Sequence, residues 1–265
     1  MLSSTMPRVT AAGRSLEYEW VGTEGSGRPV LVFLHEGLGS IRQWRDFPQN
    51  VAQALGCRAL VYDRYGYGQS DVLQEPGRSV RFMHDEALLS LPEVLSRLKI
   101  ENPVLVGHSD GASISLIHAG AGHKVKAVVA MAPHVFVEPI CIRSIVGAAR
   151  AFEATELPDK LGRYHRDAKR TFYGWADVWR DPEFRRWDIT EYLPAIGCPV
   201  LAIQGHGDEY GTMAQLDAIK KQVGGPCEVL KLTDCGHAPF RDQPEKTLSA
   251  VTAFLDRHAA RAAAG

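Results

Sequence analysis

Apolar residues fall along the chain in short runs, some alternating and some unbroken, and between them the spacing changes to three and four. The runs at residues 16–20, 30–34, 59–62, 104–106, 125–131, 200–204 and 228–232 predict strands. In the unbroken run Val30, Leu31, Val32, Phe33 and Leu34 both strand faces must be covered, as in a mostly parallel sheet lying between helices. Residues 80–98 show the intervening pattern, with Leu88, Leu91, Leu95 and Leu98 on one helical face. The first strand signals lie close together and predict an antiparallel lead-in. The expected fold class is α/β, a mostly parallel twisted sheet of about eight strands flanked by helices.

Residues 138–187 break the alternation. They hold no clear strand, but carry Phe152, Tyr164, Phe172, Tyr173, Trp175, Trp179, Phe184 and Trp187 among many Arg and Lys. This predicts a helical lid over one edge of the sheet, dividing the chain into a core (1–137 and 188–265) and a cap (138–187). Each aromatic serves equally well as an anchor packing the insertion onto the body. The Ala-rich tail at 259–265 is expected to fray.

Composition narrows the function classes. Hydrophobic residues make up 45% and charged residues 23% of 265, which is ordinary globular usage. The net charge of −1 and the absence of a Lys/Arg run argue against nucleic acid as a partner. No apolar stretch reaches the ~20 residues that cross a bilayer, and residues 1–9 show no signal pattern. The five cysteines have no close-paired spacing, so neither a disulfide framework nor a zinc site is implied. The expectation is a cytoplasmic protein, monomer or homodimer, that acts on a small molecule away from membranes.

The chemistry is carried by Gly107, His108, Ser109, Asp110 and Gly111. This G-x-S-x-G follows an apolar strand and precedes a helical pattern, which places Ser109 at the apex of a sharp turn. A serine hydroxyl needs a base, and the base needs a third group to fix its tautomer. Asp208 follows the predicted strand 200–204, and His237 follows the strand 228–232. All three therefore lie at the carboxyl edge of the sheet, where open α/β sheets bind ligands. His206 and Glu209 flank Asp208, but a carboxylate orienting an imidazole is the simpler use of that loop. Asp234 is better placed to shape the His237 loop. A tetrahedral oxyanion would take the N–H of Asp110 and one from the loop His35, Glu36, Gly37, Leu38, Gly39, Ser40, with Gly37 chosen by position and Glu36 as the near alternative.

With these loops goes Asp63, Arg64, Tyr65, Gly66, Tyr67, Gly68, Gln69, Ser70, similar to a D-x-x-G-x-G-x-S loop. Together, over residues 30–255, the chain resembles the α/β-hydrolase-fold serine hydrolases, with the insertion at the family's cap position. The resemblance implies hydrolysis of an ester, thioester, amide or activated carbon–carbon bond through an acyl-enzyme, without metal or organic cofactor. Relatives that displace halide or open epoxides carry aspartate where Ser109 stands. Hydroxynitrile lyases, perhydrolases and non-catalytic receptors on the same fold stay open as alternatives.

Two departures stand out. His35-Glu36 replaces the family's common His-Gly, and a carboxylate facing the oxyanion would repel it. The Glu36 side chain is expected to turn away towards Arg42 or Arg64, or else to handle a proton or a substrate amine. Asp110 beside the nucleophile is read as a structural side chain favoured by the helix dipole. The aromatics Phe152, Phe172, Trp175 and Trp179 suggest an apolar or aromatic substrate. His134 is placed facing the cleft, with loop packing as the alternative, and Glu36 is kept among the candidate substrate contacts.

Overall fold

A computed structural model describes residues 6–23, 27–75 and 77–259; the rest of the Ala-rich tail lies outside the described residues. Eight strands form one sheet: β1 (Arg8–Ala11), β2 (Arg14–Gly22), β3 (Leu31–Leu34), β4 (Arg58–Tyr62), β5 (Val104–His108), β6 (Ala127–Met131), β7 (Val200–Gly205) and β8 (Cys227–Leu232). Their order is β1-β2-β4-β3-β5-β6-β7-β8. β1 and β2 pair antiparallel, as do β2 and β4, and every later pairing is parallel. The unpredicted β1 has only four residues, two of them exposed, and it pairs through a tight turn at Ala12 and Gly13, both with positive φ.

The helices are α1 (Phe47–Leu55), α2 (Phe82–Asp85), α3 (Leu91–Arg97), α4 (Asp110–Gly120), α5 (Pro139–Ala154), α6 (Leu157–Gly162), α7 (Ala168–Arg180), α8 (Ala214–Gln222), α9 (Pro239–Asp242) and α10 (Pro244–His258). β3 shows how its sequence dictates the layering. Val32 and Leu34 enter one core with α3 and α4, while Leu31 and Phe33 enter the opposite core with α1 and α10. All four are buried, so an unbroken apolar run is what this position demands.

The single helix expected over 80–98 is three pieces. A wide π-type turn at Glu86–Ser90 separates α2 from α3. Pro92 in the first turn of α3 supplies no N–H to the preceding turn, which interrupts the regular ladder there. Leu91 and Leu95 reach the core, whereas Leu89 is 58% exposed.

Between β6 and β7 the chain passes through α5, α6 and α7. An antiparallel bridge between Phe136 and Asp188 joins the two ends of this excursion. α5 and α7 are locked by Phe152 stacked on Phe172, with centroids 4.0 Å apart.

Candidate active site

β5 ends at His108 and α4 begins at Asp110, so one residue makes the turn. Ser109 has φ 52° and ψ −118°, a conformation that costs a non-glycine residue strain of about 1–3 kcal/mol. The surrounding packing enforces it: a Cβ on Gly111 would lie 1.9 Å from the Leu34 carbonyl oxygen, and one on Gly107 would lie 2.3 Å from the Gly111 oxygen. Ser109 N–H donates to the Met131 carbonyl at 2.9 Å, tying the turn to β6.

The loop after β7 brings Asp208 to this turn, and the loop after β8 brings His237. Ser109 Oγ and His237 Nε2 are 2.9 Å apart, and His237 Nδ1 lies 2.8 Å from Asp208 Oδ1. Asp208 Oδ1 also accepts from Tyr210 N–H at 2.8 Å and Gly211 N–H at 3.3 Å, while Oδ2 accepts from Gln204 Nε2 at 3.1 Å. Burial alone would raise the Asp208 pKa, but the His237 hydrogen bond and charge and the Tyr210 N–H hold it below the usual range. Burial likewise disfavours the His237 imidazolium, yet the bond to Asp208 and its charge raise the pKa of His237.

His108, unremarked in the sequence, anchors this arrangement from below. Its Nε2 lies 2.7 Å from the His237 carbonyl oxygen and its Nδ1 2.9 Å from Glu36 Oε2. Glu36 therefore does turn aside, but to His108 instead of the expected Arg42 or Arg64. Burial acts to raise its pKa, and the His108 charge and hydrogen bond, with Arg241 and His35, overcome that and hold it well below the usual carboxylate range. Arg64 instead takes the backbone, its Nη2 donating to the His35 and Glu36 carbonyls at 3.1 and 3.0 Å.

A cavity of about 210 Å³ opens over Ser109, roofed by Cys141 and Ile145 of α5 and by Trp175 and Trp179 of α7. Glu36, Gly37, Asp110, His134 and His237 line it as well. His134 is buried, and desolvation lowers its pKa to about 3, so it stands in the wall as a neutral ring. Phe152 and Phe172, expected as substrate contacts, do not line the cavity. Both faces of that stacked pair are spent joining α5 to α7, and Phe172 supports the cavity only from behind Trp175, at 5.9 Å. Tyr210 and Arg241 also line the cavity and were not read from the sequence, and Glu209, read there only as a neighbour of Asp208, lines it too. A wider cleft of about 540 Å³ between residues 73–75 and 77–78 on one side and α7 on the other lies away from Ser109 and contains no residue of this cluster.

Residues 31–250 match the model of the alpha/beta hydrolase family. The chain belongs to that family and, with it, to the hydrolytic enzymes. It is 25% identical to the AB hydrolase superfamily protein YisY of Bacillus subtilis, over 87% of this chain and 92% of that one. It is 24% identical to 3-oxoadipate enol-lactonase 1 of Acinetobacter baylyi, over 92% of this chain and 94% of that one. Among solved structures, the enol-lactonase from Burkholderia xenovorans has the same fold, with a TM-score of 0.73 at 19% identity over 94% of this chain and 99% of that one.

Proposed function

We infer that this hydrolase cleaves a carboxylic ester, or a related acyl bond, of a small substrate through an acyl-enzyme on Ser109. The observation that carries the reading is the unbroken hydrogen-bonded chain from Ser109 Oγ through His237 to Asp208. Ser109 is the nucleophile, His237 the base and Asp208 the group that fixes its tautomer. As Oγ bonds to the carbonyl carbon, the serine proton passes to Nε2, and the carbonyl electrons move onto oxygen. The tetrahedral species collapses by breaking the bond to the leaving oxygen, which receives that proton. Water then gives a proton to His237 as its oxygen bonds the acyl carbon. The Ser109 oxygen departs with that proton, releasing the acid.

The oxyanion is assigned to the N–H groups of Gly37 and Asp110. The Glu36 carbonyl accepts from Arg64, from Gly39 N–H at 3.1 Å and faces His35 Nδ1 at 2.7 Å. In a trans peptide the Gly37 N–H points the opposite way from that carbonyl. Among the described residues, neither N–H is used in the backbone bonding of turns and loops. Losing one such donor typically costs ~10²–10³ in turnover. Residues 138–187 act as the cap that limits the acyl group to a small volume, and a relative named as an enol-lactonase fits an ester of some form.

Ser109→Ala is expected to abolish both labelling by an organophosphonate and turnover of a short p-nitrophenyl ester. Labelling that persists in the folded variant places the nucleophile elsewhere.

A further inference from the structure

Asp110 is the residue next to the nucleophile, fully buried, and lines the Ser109 cavity, with its Oδ2 3.1 Å from where a Cβ on Gly37 would stand. Neither of its oxygens accepts a hydrogen bond from any described residue. The nearby Trp179 indole N–H favours the charged form but lies outside hydrogen-bond geometry. Asp110 therefore lacks the close hydrogen-bond partners that fix a structural carboxylate, and its company is the Trp179 indole and the charges of Arg64 and Arg78. Buried polar atoms are almost always satisfied, and a buried carboxylate without partners is the costliest exception. The other acids of this cavity are engaged or exposed: Glu36 is bound to His108, and Glu209 is exposed to solvent. The walls between them include the aromatic side chains of Trp175, Trp179 and Tyr210, a residue type that suits a desolvated cation.

We propose that Asp110 is the recognition site for a protonated amine on the acyl part of the substrate, placed one or two bonds from the scissile carbonyl. The proposal rests on the serine-hydrolase reading above and adds the substrate class, aminoacyl esters. Distance sets the position of the amine. Asp110 Oδ2 lies 3.1 Å from where a Cβ on Gly37 would stand, so a group bonded to this carboxylate sits beside the oxyanion loop and the carbonyl that Ser109 attacks. An ammonium supplies the N–H donors the two oxygens lack, and it stays bound to a carboxylate with a short charge-assisted bond. A substrate without the amine leaves that carboxylate buried and unpaired, so the site selects against it. Desolvation raises the Asp110 pKa, with Arg64, Arg78 and His237 opposing; an arriving cation would act in the same direction as those three groups.

The test compares kcat/KM for two p-nitrophenyl esters that differ only by the amine, alaninate and propionate, in the intact protein and in Asp110→Asn. The ammonium makes its ester more reactive in any enzyme, so the ratio in the isosteric amide variant is the reference. The alaninate-to-propionate ratio is expected to fall roughly 10- to 100-fold in the variant, the size of one hydrogen bond to a charged group. An unchanged ratio overturns the proposal, because a neutral amide would then serve as well as the acid. As a check that needs no variant, isobutylammonium should protect Ser109 from organophosphonate labelling at lower concentration than isobutanol. Equal protection by the two also overturns it. Failure of the underlying reading looks different: propionate is not hydrolysed and Ser109 is not labelled at all.

Discussion

Replacing Asp208 by Asn separates the two things a carboxylate does for a catalytic histidine, holding its tautomer and stabilising its charge. An amide that turns its NH₂ group to the imidazole imposes the wrong tautomer, at a cost of ~10⁴ in kcat. In this protein the neighbours oppose that rotation. The oxygen facing His237 also takes the Tyr210 N–H at 2.8 Å, so an NH₂ group there would meet a second donor. The other oxygen faces Gln204 Nε2 at 3.1 Å, and Gln204 is itself held by the Gly211 carbonyl at 2.8 Å. Either orientation of the introduced amide loses a contact. Keeping its oxygen on His237, Tyr210 and Gly211 preserves three bonds and gives up only the one to Gln204. The tautomer survives, and what is lost is the charge, about 1.5–3 kcal/mol for a hydrogen bond to an ionised group. Asp208→Asn should therefore reduce kcat about 10- to 150-fold, at ~1.4 kcal/mol per factor of ten. The assay is kcat and kcat/KM against pH with a p-nitrophenyl ester. Because Asp208 raises the pKa of His237, the acid limb of the profile should move to lower pH in the variant. A loss near 10⁴, or an acid limb that stays in place, refutes this account of the Asp208 surroundings.

The same pair makes stability depend on pH. Asp208 is depressed, so its contribution is present above about pH 4 and lost as pH falls through its folded value; His237 is raised, so its contribution is full below about pH 6.5 and lost as pH rises through its folded value. The difference in urea midpoint between the wild type and Asp208→Asn should be largest between those limits, and a flat difference from pH 3 to 9 argues against the coupling. Glu36→Ala removes the partner of His108 Nδ1 and leaves a buried ring nitrogen unpaired, which should cost about 1–3 kcal/mol in chemical denaturation, whereas Glu36→Gln can keep the contact by donating its NH₂ group; unchanged stability of Glu36→Ala removes the anchoring role. Gly111→Ala drives a Cβ against the Leu34 backbone, a rigid neighbour, and should destabilise by at least ~1–3 kcal/mol while Gly56→Ala, with open space around it, strains only its own positive φ. Equal midpoints for the two glycine variants would contradict the tight elbow.

Much of this was legible because it depends on chain order and strand ends. β5 and β7 are strongly apolar, β8 keeps apolar residues between Glu228 and Lys231, each stops at a polar loop, and a parallel sheet delivers those loops to one rim, so Ser109, Asp208 and His237 could be placed without coordinates. β1 was missed because four edge residues carry too little pattern, and the break at Pro92 because the leucine spacing runs through it undisturbed. Side-chain direction was the other limit. Glu36 meets His108 across 72 positions, and Phe152 turns to Phe172 instead of the cavity; neither choice leaves a trace in spacing. Asp110 was visible as a residue type, but its lack of partners is a property of the packed site alone.

The central claim is covalent, and intact-protein mass spectrometry addresses it most directly. Acid quenching during turnover of a slowly deacylating p-nitrophenyl ester should reveal a fraction of the protein heavier by one acyl group, mapped by digestion to Ser109 and absent from Ser109→Ala. Turnover at full rate with no acylated species under single-turnover conditions, or acylation mapped to another residue, would contradict it.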